Sequence, residues 1–336
     1  MKVKSLICLA FIFITEIKVS SAQSSEVRFL IDTSITILKK NAVGSDKIDW
    51  DQLRTKMREK SGGINDAYQL GPVMREIYQS LNDFHGAFFY KDSTFKWQRN
   101  DKPISDSIMN EWKKGVIIKS MLLENNIGYL RVPYMSYNGK EDADKNAQQL
   151  NDTLCFLLEK KVRGIVLDLR LNGGGAMYPM MLGLMQILGK GKIGSFVSKS
   201  NENWYIKENN FLLDTMVLTS INPKCSFASE NLPVVILTST STGSSGEFLV
   251  MAFKGRKNTI VVGTETAGYI TAVGGFPINE AAYMYISTGY GRDRNGHIYK
   301  DAIKPDIFND SPDSFNDIPR DKKVLTAAKW LSDHSK

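Results

Sequence analysis

Buried strands that alternate with helices are the feature that most restricts the fold of this chain. Three helical segments are each followed by a short apolar run that reads as a buried strand. The pairs of helix and following strand are 141–160 with 164–168, 177–188 with 232–237, and 247–253 with 259–262. Alternation of this kind predicts an α/β core built on a largely parallel sheet.

The N-terminal region is expected to be helical instead. Apolar residues recur there at helical spacing between residues 26 and 81, interrupted by the Lys-Ser-Gly-Gly loop at 60–63. Pro72 is expected in the first turn of the second helix. The remaining expected elements are a hairpin (116–122 and 127–132), a sharp turn at 295–296 and a closing helix (324–331).

The first residues have the form of a secretory signal. Lys2 and Lys4 precede an apolar run over 6–14, and small residues follow at 20–22. That run is far shorter than the roughly 20 residues that span a bilayer, so a stable membrane anchor is not expected. We expect cleavage after Ala22, which would make the protein secreted or periplasmic.

The mature chain would keep two cysteines and a mild positive charge. Cys8 leaves with the signal, and Cys155 and Cys225 either form a disulfide or remain as two buried thiols. Residues 1–22 carry three lysines and one glutamate, so their removal lowers the formal net charge from +7 to +5. The basic residues are scattered, which argues against nucleic-acid binding, and no Cys/His spacing predicts a metal site.

A serine-rich loop joins one of the buried strands to the following helix. Residues 238–247 read Thr-Ser-Thr-Ser-Thr-Gly-Ser-Ser-Gly-Glu, which places Ser244 at the expected start of the helix. Unpaired N–H groups and the positive end of the helix dipole stabilise negative charge there, as a nucleophilic hydroxyl requires. Serines at helix starts are more often caps, so the local sequence leaves both interpretations open.

Two more segments carry residues suited to catalysis. The sequence 168–175, Asp-Leu-Arg-Leu-Asn-Gly-Gly-Gly, can turn tightly after a strand and present N–H groups to a substrate oxygen, and it fits no phosphate-loop pattern. His85, in the segment 81–86, is of the residue type best suited to general-base catalysis near neutral pH. A purely structural histidine is the alternative. His297 and His334 lie near a turn and near the C-terminus.

Taken together, these segments resemble the tail-specific, or carboxyl-terminal-processing, serine peptidases of family S41 and the related tricorn core peptidases. The similar segments, in the order in which the family has them, are 81–86, 126–131, 168–175, 243–247, 262–268 and 303–306. The resemblance implies a peptide or an unfolded protein segment as substrate, and no cofactor or metal.

The resemblance also implies roles for individual residues. Ser244 would be the nucleophile, because it stands three residues before Glu247 as the family's serine stands before its glutamate. The N–H groups of Gly174 and Ser245 would form the oxyanion hole.

The family has two ways of activating its serine, and one position separates them. One branch has a lysine after the glycine that corresponds to Gly268, where this chain has Tyr269. The other branch, like the tricorn core, uses a histidine in the position of His85. The resemblance therefore favours a serine–histidine mechanism.

The acid that orients the histidine is left open by the same resemblance. In the histidine branch it lies three residues before the glycine of a Gly-[Ile/Val]-x-Pro-Asp motif, which here corresponds to Tyr299, and Ala302 replaces the glycine. Asp301 is the nearest substitute, and Glu247 and Asp83 are the other candidates. A binding module for an apolar ligand or peptide, without hydrolysis, is the alternative function.

The resemblance implies an α/β fold with two parts. A helical N-terminal subdomain (23–86) would pack on an α/β catalytic core of the crotonase and ClpP class (87–336), with the active site in the groove between them. The 41 residues between His85 and Ile127 are too few for the PDZ-like domain that many members of the family insert there.

The signal segment leads to a direct prediction. The protein recovered from outside the cytoplasm should begin near Gln23, because cleavage is expected after Ala22. N-terminal sequencing or intact-mass measurement of the exported protein checks this. Residues 1–22 found intact on a soluble cytoplasmic protein would contradict it.

Overall fold

The computed structural model describes residues 24–99, 103–226 and 231–334, so the expected signal segment lies outside the described residues. The helices are α1 (Ser25–Asn41), α2 (Trp50–Lys60), α3 (Gly71–Ser80), α4 (Asp106–Lys114), α5 (Lys140–Glu159), α6 (Met177–Gly183), α7 (Met185–Leu188), α8 (Ser245–Phe253) and α9 (Lys322–His334). The first seven strands are β1 (Ala87–Tyr90), β2 (Ser93–Phe95), β3 (Lys119–Leu123), β4 (Ile127–Arg131), β5 (Gly164–Asp168), β6 (Gly191–Val197) and β7 (Asn201–Lys207). The others are β8 (Asn210–Leu213), β9 (Met216–Ser220), β10 (Val234–Thr238), β11 (Thr259–Gly263), β12 (Thr271–Pro277), β13 (Ala282–Asp293) and β14 (Ile307–Phe308).

The helical N-terminal region predicted from the sequence is present as α1, α2 and α3. The side chain of Ser24 accepts a hydrogen bond from the Val27 N–H at 3.2 Å and caps α1, and Pro72 lies in the first turn of α3 as expected. The apolar faces of these helices share one core with side chains of β1 and β13, among them Phe88 and Met284. The helices are therefore fixed to a sheet, and they carry the loop that contains His85.

A six-stranded sheet forms the α/β core, in the order β14-β11-β10-β5-β4-β3. Its neighbouring strands are parallel except for the pair β3 and β4, which forms the expected hairpin. The strands β4, β5 and β10 are buried along their whole length, as the apolar runs predict. Because β5 and β10 are parallel neighbours, the loops after them, 168–175 and 238–244, meet at one edge of the sheet.

A second sheet, whose strand pairs are all antiparallel in the described part of the chain, was not predicted. It has eight strands in the order β2-β1-β13-β6-β7-β8-β9, with β12 also paired to β13. Four of these strands, β6 to β9, lie in the sequence between the segment 177–188 and β10. The segment 177–188 itself divides at Leu184 into α6 and α7. In β7 only alternate residues such as Trp204 and Ile206 are buried, a two-residue pattern that is easily missed in a short run.

Cys155 and Cys225 are joined. Cys155 in α5 forms a disulfide with Cys225, which follows β9, with 70 residues of sequence separation. The bond therefore ties a helix of the core sheet to the end of the second sheet. Among the described residues, no helix is both long enough and apolar enough to cross a bilayer.

Removal of this disulfide should destabilise the protein. A cross-link that closes a loop of this length restricts the unfolded chain, so the variant Cys155→Ala/Cys225→Ala should lose roughly 2–5 kcal/mol of unfolding free energy. Urea unfolding without reductant measures the difference. Reductant should bring the wild type down towards the double variant and leave the variant unchanged, and equal stabilities without reductant would contradict the prediction.

Candidate active site

Ser244 lies on a sharp turn between the buried strand β10 and the helix α8. Its backbone has φ +51° and ψ −119°, a conformation that residues with a side chain rarely adopt. Among the four serines of the loop 238–246, Ser244 alone is not buried. The turn thus presents one serine hydroxyl at the N-terminus of a helix, where the dipole favours negative charge.

A buried carboxylate holds this turn in place. Glu247, in the first turn of α8, accepts the Ser244 N–H at 2.9 Å, the Gly268 N–H at 2.8 Å and the hydroxyl of Thr266. Burial raises the pKa of Glu247 to about 7, and these hydrogen bonds oppose the rise. Glu247 therefore binds the serine turn to the segment 266–268.

The glycine-containing loop after β5 is anchored by a buried ion network. The Arg170 guanidinium, which is fully buried, contacts carboxylates of Asp168 at 2.7 Å, Asp313 at 2.7 Å and Asp321 at 2.8 Å. Burial raises the pKa of Asp168, but the Arg170 charge outweighs this effect and the pKa falls to about 2. The network links the start of this loop to the C-terminal segment that leads into α9.

The two loops predicted to form the oxyanion hole are in direct contact. A Cβ placed on Gly174, which has φ +125°, would lie 2.9 Å from the Ser244 Cβ, so only glycine fits there. The Gly174 N–H, however, donates to the Asn172 Oδ1 at 3.0 Å, because the tight turn points it back into its own loop. The Ser245 N–H has no hydrogen-bond acceptor among the described residues. The structure thus leaves the Ser245 donor available and engages the Gly174 donor elsewhere.

His85 lies in the loop between α3 and β1, in contact with Tyr269. The two ring centroids are 5.1 Å apart at an interplanar angle of 73°. Tyr269 is therefore packed against the histidine. It is the residue at the position where the resemblance to family S41 implies a lysine in one branch. Burial lowers the pKa of His85, although the Asp83 charge and a hydrogen bond to the Thr271 backbone oppose the decrease. The imidazole is accordingly neutral near pH 7, the form that can accept a proton.

A line of hydroxyl groups connects His85 to a buried carboxylate. The His85 Nδ1 lies 3.2 Å from the Thr271 Oγ1, which lies 2.8 Å from the Ser287 Oγ. The Ser287 hydroxyl donates to the Asp83 Oδ1 at 2.8 Å. Asp83 also accepts the backbone N–H groups of His85, Gly86 and Ser287.

The other acids proposed from the sequence do not hydrogen-bond His85 in the described part of the chain. Asp301 is exposed and lines the same cleft as His85 without a hydrogen bond to it. The oxygens of Glu247 accept hydrogen bonds from the serine turn and the segment 266–268, and neither is hydrogen-bonded to His85. The Tyr299 hydroxyl donates to Asp293 at 2.9 Å, within its own turn.

Two clefts share Arg99 as a lining residue. The cleft on the serine side, which we call the glycine cleft, has a volume of about 380 Å³ and is lined by residues that include Gly173, Gly243 and Trp112. The cleft on the other side, the histidine cleft, has a volume of about 310 Å³ and contains His85 and Asp83. No hydrogen bond joins the Ser244 hydroxyl to His85 among the residues that the structure describes. The described residues also contain no group of three or more His, Cys, Asp or Glu side chains that could hold a metal ion.

Sequence reasoning missed Thr271 and Ser287. Thr271 begins β12, Ser287 lies in the middle of β13, and neither belongs to a segment that suggested chemistry. Of the residues in this line of hydrogen bonds, the sequence indicated only His85 and Asp83, the latter as one candidate acid. Its partners could not be found because Ser287 is 204 residues away in the sequence.

Comparison with known proteins gives a consistent result. The model of peptidase family S41 matches residues 126–308. The chain is 25% identical over 273 residues to the nisin-resistance protein of Lactococcus lactis, which covers 78% of this chain and 77% of that protein. It is 25% identical over 213 residues to a carboxy-terminal-processing protease of Bartonella bacilliformis, and there it spans only 45% of the relative's length.

The solved structures agree with the architecture described above. A lipoprotein from Streptococcus agalactiae has a TM-score of 0.67 at 22% identity, and the alignment covers 92% of this chain and 96% of that one. Likeness at this level of identity shows a shared fold. It confirms the predicted combination of a helical N-terminal region and an α/β core.

The buried Glu247 should make stability depend on pH. Its pKa rises from an ordinary 4.5 to about 7 on folding, so the folded protein binds a proton that the unfolded chain releases, and stability falls as pH rises through that window. The loss is about 3 kcal/mol between pH 4.5 and pH 7. Glu247→Gln removes the titration, so its unfolding free energy should decline less than that of the wild type between those values.

Urea unfolding at several pH values tests this expectation, with the exposed Glu59→Gln in α2 as a control that should follow the wild type. Parallel pH profiles for the wild type and Glu247→Gln would contradict the raised pKa.

Proposed function

Because this chain belongs to peptidase family S41, we propose that it is an exported serine peptidase that cleaves peptide bonds with Ser244 as nucleophile and His85 as general base. The observation that carries the proposal is the turn at Ser244. A partly exposed serine at a helix N-terminus, with positive φ and a glycine loop against its Cβ, is the arrangement that a nucleophilic hydroxyl needs.

The chemistry follows from the positions of the donors and acceptors. The Ser244 Oγ attacks the carbonyl carbon of the peptide bond while the His85 imidazole takes the hydroxyl proton. The Ser245 N–H stabilises the negative oxygen of the tetrahedral intermediate, with help from the helix dipole of α8. His85 then returns the proton to the leaving amine, and water hydrolyses the acyl-enzyme in the same way.

Two adjustments are expected when a peptide binds. The Ser244 hydroxyl and the His85 Nε2 must come within hydrogen-bond reach, since catalytic hydrogen bonds often tighten only in the complex with substrate. The Gly174 N–H becomes a second oxyanion donor only if it leaves the Asn172 Oδ1. The peptide chain would occupy the glycine cleft, whose walls include the apolar rings of Trp112 and Tyr269.

The substrate class proposed is a peptide or an unfolded protein segment outside the cytoplasm. Support for export comes from the signal-like first residues and from the disulfide between Cys155 and Cys225, which is typical of oxidising compartments. A single extended strand fits clefts of this size better than a folded surface does.

Substitution of the two reacting residues tests the mechanism. Ser244→Ala should abolish cleavage of an unfolded protein such as labelled casein and labelling by a fluorophosphonate. His85→Ala should lower kcat by several orders of magnitude, and the double variant should be no worse than either single one, because the two residues act as a unit. The control Ser332→Ala, on α9, should behave as the wild type.

Two outcomes would count against the proposal. Full activity in Ser244→Ala would move the nucleophile to another residue of the loop. A wild-type protein that neither cleaves peptides nor reacts with the fluorophosphonate would favour the binding module instead.

A further inference from the structure

We propose that Asp83 positions His85 through the hydroxyl groups of Ser287 and Thr271. This line of hydrogen bonds, which we call the hydroxyl relay, takes the place of an acid that contacts the histidine directly. The inference rests on the proposed role of His85 as general base. It concerns positioning residues, since neither hydroxyl nor Asp83 would touch the substrate.

The direction of the hydrogen bonds is fixed by the carboxylate. Asp83 can only accept, so the Ser287 hydroxyl gives it its single proton at 2.8 Å. Ser287 must then accept from Thr271, and the Thr271 oxygen must accept from the His85 Nδ1. If Thr271 instead donated to His85, the 2.8 Å contact between the two hydroxyl oxygens would contain no proton.

This direction determines the form of the imidazole. The proton of neutral His85 lies on Nδ1, and the lone pair lies on Nε2, where a proton from Ser244 would have to be accepted. When His85 becomes doubly protonated during the reaction, the hydrogen bonds through Thr271 and Ser287 connect the positive imidazolium to the negative Asp83 carboxylate. Orientation and charge stabilisation are the two tasks of the acid in a serine–histidine site.

The backbone keeps the carboxylate in place. Asp83 is buried and accepts four hydrogen bonds, two of which come from the N–H groups of His85 and Gly86 in its own loop. A Cβ on Gly86 would approach the Asp83 Oδ2 to 2.7 Å, so glycine is required there. The carboxylate and the imidazole thus belong to one rigid turn.

The strands supply the two hydroxyl groups. Thr271 is the first residue of β12, and the pairing of β12 with β13 shifts register between Ala272 and Val273, immediately after it. Such irregularities redirect neighbouring side chains. This register shift lies next to Thr271, whose hydroxyl contacts both His85 and Ser287.

The alternative acids are less well placed. Tyr299, at the position of the acid in related enzymes, is bonded to Asp293. Besides Asp83, the charged or titratable residues that face His85 across the histidine cleft or pack on its ring are Lys47, Arg99, Tyr269, Tyr290, Lys300 and Asp301. In the described part of the chain, none of these groups hydrogen-bonds the imidazole.

Thr271 is the position at which to test the hydroxyl relay, because replacing Asp83 would also break the turn. Thr271→Val keeps the shape of the side chain and removes the hydroxyl. It should lower kcat on labelled casein by the order of 10- to 100-fold, less than the ~10⁴-fold loss typical of an acid bonded directly to the histidine. KM should change little, and the pKa seen in the kcat/KM profile should fall, because the imidazolium loses its acceptor.

Two matched variants separate positioning from structure. Thr271→Ser restores the hydroxyl and should recover activity to within a few-fold of the wild type. Thr288→Val removes a hydroxyl that donates to the Ala272 carbonyl in the same strand pair but takes no part in the hydrogen bonds between His85 and Asp83. It should leave the pH profile unchanged. A Thr271→Val protein with wild-type kcat and pH profile would overturn the proposal.

Nuclear magnetic resonance of the imidazole gives a test that needs no peptidase activity. With ¹⁵N-histidine labelling, the His85 signal can be assigned by its loss in His85→Gln, since the chain has only three histidines. The wild type should show the neutral form protonated on Nδ1, and Thr271→Val should titrate at lower pH. Protonation on Nε2, or an unchanged titration in Thr271→Val, would overturn the proposed line of hydrogen bonds even in an inactive protein. Inactivity alone would refute only the proposed function.

Discussion

The geometry of the candidate active site depends on one buried side chain, the carboxyl group of Glu247. The backbone at Ser244 has a positive φ, which is unfavourable for a residue with a side chain and persists only where surrounding contacts impose it. Glu247 supplies those contacts by binding the Ser244 N–H on one side and the Gly268 N–H on the other. Because the segment 266–268 leads directly to Tyr269, the same carboxylate also fixes the aromatic ring against which His85 packs.

His85 is positioned by a different part of the fold. Its loop is carried by α3 and β1, whose apolar side chains share a core with β13. The strand β13 also pairs with β12 and β6, so one long strand connects the N-terminal helices to the rest of the second sheet. The relative position of His85 and Ser244 therefore depends on the packing between this sheet and the parallel one, and not on any local motif.

Two tyrosines occupy positions at which the resemblance of the sequence to the family implies catalytic groups. Tyr269 stands at the lysine position of one branch and packs on His85, while Tyr299 stands at the acid position of the other branch and bonds to Asp293. The Tyr299 hydroxyl donates to Asp293 and makes no hydrogen bond to His85 among the described residues. The surroundings of His85 are formed by hydroxyl groups of two strands and by the carboxylate of Asp83 in its own turn.

The sequence by itself determined the elements whose signals lie within a few residues of each other. The strand, turn and helix around Ser244, the glycine loop after β5 and the segment that contains His85 could all be recognised in this way, because apolar runs, glycines and helix starts act locally. Only the tertiary structure showed that hydroxyl groups connect His85 to Asp83, since the contacts of Thr271 and Ser287 join residues up to 204 positions apart. The disulfide, the four strands β6 to β9 and the engagement of the Gly174 N–H were likewise settled by packing. Each depends on where distant segments meet, which local patterns of residue type do not specify.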